Sequence, residues 1–298
     1  MLMRKSFLLV VLVLFISIVS CSSSKHSKSK KLPGIWQVVP ITIDGSNKDW
    51  PSPYPEYDDK AQLGYAVSND KDNLYITVET GDPATQLKIL RNGLTVWIDK
   101  TGENNELTAI NYPIPGDPNE ENDGKLKPAK GQGQGSGQDK QRMELEDKVR
   151  AAIPDAKEFS LQGFKACNMQ FPLLEKDSCG IMVRMALDAD NELVWEAVVP
   201  FKSFYPKHEV DKRDKGKPMS ICFETVASKR PAGQSGGNHG GGGGGGMRPS
   251  MGMGMGGGMG MRMGGGGNRG GGQTTNNIME PLYKSTKTWK KFGIAIFP

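Results

Sequence analysis

The stretch Ile41-Thr42-Ile43-Asp44-Gly45-Ser46-Asn47-Lys48-Asp49-Trp50 decides how the rest of the chain is interpreted. Its β-branched start, followed by Asp-Gly, predicts a short strand that enters a turn. Gly45 favours the turn because it tolerates backbone conformations that side chains disfavour. We interpret the stretch as the opening strand of a β-sandwich, with Trp50 as an anchor in the core.

Short apolar segments separated by polar turns continue along most of the chain. In residues 94–99, alternation places Leu94, Val96 and Ile98 on one face, as in a strand with one buried side. Residues 139–152 have the spacing of a helix. The other predicted strands are 35–39, 63–67, 73–79, 107–114, 159–164, 181–187, 193–200, 219–226 and 289–297. This order predicts a mainly β fold, a two-sheet antiparallel β-sandwich with one inserted helix.

Three segments lack the composition of a packed strand. Residues 81–93 are interpreted only as a link between two strands. Residues 116–138 are polar and residues 231–277 are Gly-rich, so neither can bury enough apolar surface to offset its ordering entropy. Both predict disordered excursions from one folded domain, 34–298.

The N-terminus has the layout of a secretory signal, because Arg4 and Lys5 precede an apolar run that ends just before Cys21. This order predicts a lipoprotein signal peptide at 1–20, lipidation of Cys21 and a flexible tether at 21–33. Acyl chains contribute about 0.8 kcal/mol per buried methylene group, which holds the chain on the membrane. We expect an extracytoplasmic protein of the bacterial cell envelope, lipid-anchored in the outer membrane. An uncleaved N-terminal anchor is the alternative.

The mature chain is close to neutral. The formal net charge of +5 falls to +3 when a signal peptide carrying Arg4 and Lys5 is removed. Lysine and arginine cluster only in the tether and in residues 207–217, whereas a nucleic-acid partner requires a basic face. The sequence therefore predicts no nucleic-acid binding, and it identifies no protein partner.

The cysteines divide into three predicted roles. Cys21 is assigned to the lipid anchor, and Cys222 lies in an apolar run that predicts a buried thiol. Cys167 and Cys179 could form a disulfide in an oxidising compartment. The sequence leaves this pairing open, because it cannot place two Cα atoms within bridging distance.

Four motifs in chain order carry a family resemblance. They are Ile43-Asp44-Gly45 to Asp49-Trp50, Asp72-Asn73-Leu74-Tyr75-Ile76, Val96-Trp97-Ile98-Asp99 and Trp195-Glu196-Ala197-Val198-Val199-Pro200. Together they resemble carbohydrate-binding module family 9 and the wider DOMON-like sandwiches. The resemblance implies a two-sheet sandwich and a glycan ligand, since family members clamp sugar between tryptophans. It does not map that clamp onto particular residues of this chain.

The matching residues also have a structural interpretation. Trp50, Trp97 and Val198 are of the types that fill a sandwich core, and Leu74, Ile76 and Pro200 pack or shape the strands in the same way. Glu196 is flanked by apolar residues, which favours a buried carboxylate bonded to backbone over an acid catalyst.

Sugar binding requires an aromatic side chain that stacks on the apolar face of a pyranose, bordered by carboxylates and amides that bond the hydroxyls. The candidate aromatic residues lie on predicted loops or strand ends and are Trp36, Tyr54, Tyr57, Tyr283 and Trp289. Simple packing is the alternative role for each. Carbohydrate is thus the predicted ligand, and no cofactor is required.

Two acidic loops offer oxygen ligands that suit calcium. The residues are Asp99, Glu103, Asn104, Asn105 and Glu106 in the first loop and Asp188, Asp190 and Asn191 in the second. Neither loop has the order of an EF-hand, so a solvated polar turn is the alternative interpretation.

Copper and haem are two further ligands to consider for this sequence. Seven methionines between Met247 and Met263, with His239 upstream, are soft ligands that suit Cu(I), although Gly/Met repeats are also typical of low-complexity insertions. Haem is disfavoured, because His26, His208 and His239 are the only histidines and two of them lie in predicted flexible segments.

No motif of a catalytic site is present, since the sequence has no nucleophile elbow, zinc-ligand helix or phosphate-binding loop. We therefore expect a non-catalytic extracytoplasmic lipoprotein that binds glycan or another ligand. The alternative is a structural or assembly lipoprotein of the envelope whose Gly/Met-rich loop contacts protein or copper.

Overall fold

A computed structural model describes residues 31–52, 54–114, 137–165, 167, 170–172, 179–206, 209–230 and 278–297. The predicted signal peptide, Cys21, His26, His208, His239 and the methionines of the Gly-rich tract lie outside the described residues. So do residues 231–277 and nearly all of 116–138. What the sequence suggests for these parts stays a prediction.

Twelve strands are present in the described part of the chain. They are β1 (Ile35–Trp36), β2 (Glu56–Asp58), β3 (Leu63–Asn69), β4 (Asn73–Thr80), β5 (Leu94–Asp99), β6 (Ala109–Tyr112), β7 (Glu158–Gln162), β8 (Gln170–Pro172), β9 (Met182–Leu187), β10 (Leu193–Pro200), β11 (Pro218–Thr225) and β12 (Thr286–Gly293). Sheet I has the order β1-β3-β4-β10-β9, and β2 also pairs with β3. Sheet II has the order β12-β11-β5-β6-β7-β8. All pairs are antiparallel except β1 with β3.

The main core lies between the two sheets. Leu94, Val96 and Ile98 of β5 are buried in it, as the alternation predicted. Their register partners on β11 include Ile221 and Phe223, which are buried with them. Sheet I contributes its own alternate residues, among them Tyr65, Ile76, Val78, Trp195 and Ala197. The predicted mainly β, two-sheet antiparallel sandwich is thus confirmed.

Three α-helices accompany the sheets in the described residues: α1 (Pro83–Asn92), α2 (Gly137–Ala152) and α3 (Phe201–Phe204). Helix α2 matches the predicted inserted helix and begins two residues earlier. The interpretation of residues 81–93 as a simple link is wrong, because most of this segment is α1. None of the helices in the described residues is long and apolar enough to span a membrane.

Helix α1 was missed because it is buried almost along its whole length. Asp82 caps it by accepting a hydrogen bond from the Thr85 N–H at 2.8 Å, and Pro83 occupies the first turn. Even Gln86 and Lys88 are buried, so polar residues do not mark a solvent face. The spacing that identifies a surface helix is therefore absent from its sequence.

The structure decides the cysteine pairing that the sequence left open. Cys167 and Cys179 form a disulfide, with their Cα atoms 6.3 Å apart. Cys222 is a free thiol buried on β11. Burial raises the pKa of the Cys222 thiol to about 12, so little reactive thiolate is present at neutral pH.

The opening stretch is not a strand, contrary to the sequence prediction. Residues 41–52, here called the strap, contain only a 3-10 turn at Asn47–Asp49 and lie across the outer face of sheet I. Ile41, Ile43 and Trp50 form a second small core there, together with Ala66 and Tyr75 of the sheet. The apolar residues that suggested a strand are buried by covering a sheet rather than by joining it.

Candidate functional site

The strap is held on sheet I by one buried carboxylate. Glu196 of β10 is fully buried, and its Oε2 accepts hydrogen bonds from the Asp44, Gly45 and Ser46 N–H groups at 3.2, 2.6 and 3.2 Å. Its Oε1 accepts one from Trp50 Nε1 at 2.6 Å. Burial raises the pKa of Glu196, and these donors partly offset the rise. The sequence interpretation of Glu196 as a backbone-bonded carboxylate agrees with this geometry.

Gly45 is required where the strap meets the sheet. Its φ of +85° lies in the left-handed region that favours glycine. A Cβ at this position would also lie 2.9 Å from the Ala186 Cβ, closer than van der Waals contact allows. The Asp-Gly pair therefore brings the strap backbone close enough to reach the Glu196 carboxylate.

The strap forms one wall of a groove with a volume of about 700 Å³. The other walls come from β2, the ends of β3 and β4, the start of α1, helix α2 and the turn between β9 and β10. The side chains that matter chemically are Asn47, Tyr54, Tyr57, Glu79, Arg142 and Glu192, and all of them line this one groove. We call it the strap groove.

Tyr54 and Tyr57, three positions apart in the sequence, both line the strap groove. The Tyr54 ring lies over Gly64, since a Cβ on that glycine would meet the Tyr54 side chain at 3.6 Å. The Tyr54 hydroxyl lies 3.2 Å from Thr77 Oγ1, and burial raises the pKa of this phenol. Tyr57 is 55% exposed and donates to Gln62 Oε1 at 3.2 Å. An aromatic surface thus reaches solvent inside the groove.

Three carboxylates crowd together at the same place. Oxygens of Glu79, Asp188 and Glu192 lie within 4.8 Å of one another. The Asn47 Nδ2 donates to Glu79 Oε2 at 3.0 Å and to Asp188 Oδ2 at 3.1 Å. Burial raises the pKa of Glu79 to about 7, and the carboxylates of Glu192 and Asp188 contribute to the rise. The oxygens of this cluster can accept further hydrogen bonds from a ligand.

Only two of the five predicted aromatic candidates meet in the structure. Tyr54 and Tyr57 share the strap groove, whereas Trp36 packs edge-on against Phe297 at a centroid distance of 5.9 Å. Tyr283 lies under the guanidinium of Arg230, 4.7 Å from the ring centroid. A platform built from all five candidates is therefore not formed, because the folded strands separate them.

Trp289 and Trp97 lie on the outer face of sheet II. Both are register partners of Cys222, from the two strands beside it. The Trp97 Nε1 donates to Glu224 Oε2 at 2.7 Å, and the ammonium of Lys287 lies 5.6 Å from the Trp97 ring centroid. The prediction that Trp97 fills the core is wrong, because its neighbours Val96 and Ile98 take the inward positions.

The first acidic loop is organised as a turn. Asp99 Oδ1 accepts from the Thr101 N–H and hydroxyl, and Oδ2 accepts from the N–H groups of Glu103 and Asn105. These bonds lower the pKa of Asp99 against the opposing effect of its burial.

The remaining members of this loop do not converge on a cation site. Glu106 pairs with Lys287 at 2.8 Å, and Asn104 has a positive φ of 67°. The polar-turn alternative accounts for Asp99, Glu103, Asn104 and Glu106 better than calcium binding does, because the Asp99 oxygens already bond the backbone.

The second acidic loop contributes to the strap groove. Asp188 Oδ1 accepts from the N–H groups of Asp190 and Glu192 at 2.9 and 2.8 Å, which fixes the turn. Its other oxygen faces Asn47, and Asp190 lines the groove. Glu79, Asp188 and Glu192 each bring one oxygen to a shared position, three in all, whereas calcium takes six to eight in proteins.

Sequence reasoning missed Asn47, Glu79 and Glu192. A signal for Glu79 was present, because alternation along β4 puts Tyr75, Thr77 and Glu79 on the face opposite the buried Ile76. No comparable signal places Asn47 beside Glu79, since the contact depends on how the strap crosses sheet I.

Comparison with known proteins adds little to this geometry. No family model matches the chain, and no curated protein matches it. A solved structure of a carbohydrate binding module family 9 (CBM9) from Caldicellulosiruptor kristjanssonii in complex with glucose is similar at 12% identity and a TM-score of 0.31. The similarity covers 67% of this chain and 79% of that chain.

Proposed function

We propose that the protein is a non-catalytic, lipid-anchored extracytoplasmic protein that binds glycan in the strap groove. The observation that carries the proposal is the meeting of Tyr54 and Tyr57 with Asn47 and acidic side chains in one groove. Aromatic rings stack on the apolar face of a pyranose, while amides and carboxylates bond its hydroxyl groups.

The size of the groove fits this role. A volume of about 700 Å³ lies within the range of about 300–1,000 Å³ that is usual for ligand sites. The groove is partly open to solvent, so it can admit part of a longer chain as well as a single sugar. Tyr57, the more exposed of the two tyrosines, is the side chain we assign to stacking.

The arrangement of the carboxylates supports binding rather than hydrolysis. Glycosidases place two carboxyl groups on opposite sides of the scissile bond, about 5 Å or more apart. Glu79 and Glu192 in the groove, with Asp188 beside them, have oxygens within 4.8 Å of one another, and Asn47 donates to both Glu79 and Asp188. This crowding differs from a pair of carboxyl groups set apart on the two sides of a sugar.

The test is a titration of the purified full chain against a panel of soluble oligosaccharides, with Tyr57→Ala and Tyr54→Ala as variants. Tyr283→Ala is the matched control, because Tyr283 is a partly exposed tyrosine outside the groove. We expect saturable binding of at least one glycan, lost in Tyr57→Ala and kept in Tyr283→Ala. Thermal unfolding of each variant separates loss of the site from loss of the fold.

Two results would contradict the proposal. Flat titrations across the whole panel would show that the protein does not bind these glycans. Equal binding by Tyr57→Ala and the intact chain would show that the glycan binds outside the groove. Chromatography of the sugars after prolonged incubation tests the non-catalytic part, for which we expect no shortened products.

A further inference from the structure

The strap groove carries a strong excess of negative charge. Five of its side chains are carboxylates, namely Glu56, Glu79, Asp82, Asp190 and Glu192. Among the described residues, Arg142 is the one cationic side chain that lines it. Arg142 is directed back to its own helix, where its Nε donates to Glu146 Oε1 at 3.0 Å. Its charge is therefore compensated by Glu146, and the groove remains anionic toward a ligand.

The carboxylates of Glu79, Asp188 and Glu192 can accept more hydrogen bonds than the neighbouring side-chain N–H groups supply. The amide of Asn47 offers its N–H groups to Glu79 and Asp188, so none remains for Glu192. Among the described residues, no N–H group donates to the Glu192 carboxylate, which instead lies against Gly81 and bonds Glu79. Burial and the neighbouring carboxylates raise the pKa of Glu79, so a positively charged group beside it would favour its ionised form.

An ammonium group matches this arrangement better than a hydroxyl does. It supplies three N–H donors and a positive charge, and charge-assisted bonds are about twice as strong as neutral ones. The neighbouring Tyr57 ring can stack on the apolar face of a pyranose in the same ligand. A sugar that carries a free amine satisfies both requirements at once.

Resting on the glycan-binding role proposed above, we propose that the strap groove selects amino sugars with free amines, such as the glucosamine units of a deacetylated glycan. The ammonium binds between Glu79 and Glu192, and the ring lies on Tyr57. Acetylation removes the charge and two of the donors, so the acetylated sugar loses the contact. Uronic acids are repelled by the carboxylates.

The experiment compares oligomers of glucosamine and of N-acetylglucosamine, equal in length, by calorimetric titration of the full chain near neutral pH. We expect the free amine to bind at least about tenfold more tightly, the value of one charge-assisted contact. Glu192→Gln should reduce that ratio toward one, and Asp190→Asn serves as a second variant of the lining. Glu103→Gln is the control, because Glu103 is an exposed glutamate outside the groove.

The outcomes separate this inference from the proposed function. Equal or tighter binding of the acetylated oligomer would overturn the amine preference and leave glycan binding in place. Flat titrations with both oligomers and with neutral glycans would contradict glycan binding itself, which is the proposed function. Tighter binding of the amine that survives Glu192→Gln and Tyr57→Ala would place it outside the groove. Stoichiometric binding of calcium from calcium chloride alone, equally tight in Tyr57→Ala, would show that the groove is a cation site and not a sugar site.

Discussion

Glu196 is the residue on which the strap depends. One carboxylate accepts three backbone N–H groups and the indole N–H of Trp50, and it is fully buried. A buried acceptor with this many donors cannot be replaced by an apolar side chain without leaving those donors unpaired. The local sequence around Glu196 predicted its burial, while its partners lie 146 to 152 residues away.

We predict that Glu196→Ala lowers the free energy of unfolding by about 3 kcal/mol, because donors on the strap and Trp50 lose a charged acceptor. Urea unfolding followed by tryptophan fluorescence measures the change. Glu103→Ala, on the exposed loop after β5, should change stability by less than about 0.5 kcal/mol. A similar effect of the two substitutions would show that the carboxylate does not hold the strap.

Glu79 gives a prediction with a defined dependence on pH. Its pKa is raised from 4.5 to about 7 in the folded chain, so folding favours the protonated form. The native state is therefore destabilised as pH rises from the unfolded pKa through the folded one. Glu79→Gln removes this effect, because the amide carries no charge at any pH.

We expect Glu79→Gln to raise the Tm by roughly 2–4 °C at about pH 9, where the carboxylate is ionised, if the relief is about 1 kcal/mol. At about pH 4 the two proteins should melt together, since the carboxyl group is protonated in both the native and the unfolded state. Thermal unfolding followed by circular dichroism checks both values. An equal change at both pH values would mean that the charge of Glu79 is not the cause.

At the scale of elements, the strap and α1 show two different limits of sequence reasoning. The strap has the β-branched residues of a strand, yet its backbone N–H groups donate to the Glu196 carboxylate rather than to a neighbouring strand. Helix α1 has a recognisable cap and first-turn proline, yet its burial hides the helical pattern. In both cases the local signal was real, and the tertiary surroundings decided what the segment became.

We predict that Gly45→Ala displaces the strap without unfolding the sandwich. The left-handed φ and the contact with Ala186 should together cost about 1–3 kcal/mol, and glycan binding should be lost because Asn47 moves with the strap. Gly137→Ala is the control, since a Cβ at the start of α2 meets nothing within 4 Å. Urea unfolding and ligand titration measure the two effects, and unchanged binding in Gly45→Ala would contradict the prediction.

At the scale of the whole molecule, the groove is built from distant parts of the chain. The strap brings Asn47, β4 brings Glu79, helix α2 brings Arg142 and the turn before β10 brings Glu192. The two sheets act as the rigid support for these segments. We propose that the lipid anchor and the tether then present this sandwich outside the cytoplasm.

The proposed anchor predicts that the chain is labelled by a radioactive fatty acid in a bacterial host, and that Cys21→Ser removes the label. The substituted chain should also shift from the membrane fraction to the soluble extracytoplasmic fraction. Cys222→Ser is the matched control, because that thiol is free and buried on β11. Label that persists in Cys21→Ser would rule out lipidation at this cysteine.

The sequence by itself determined the mainly β sandwich, the Asp44-Gly45 turn, the inserted helix α2 and the buried role of Glu196. These follow from residue spacing and local conformational preference. Only the tertiary structure decided that the opening stretch is a strap, that Trp97 faces outward and that Tyr54 and Tyr57 meet Glu79. The physical reason is that those outcomes depend on strand register and on contacts such as Gly45 with Glu196, which join residues 151 positions apart.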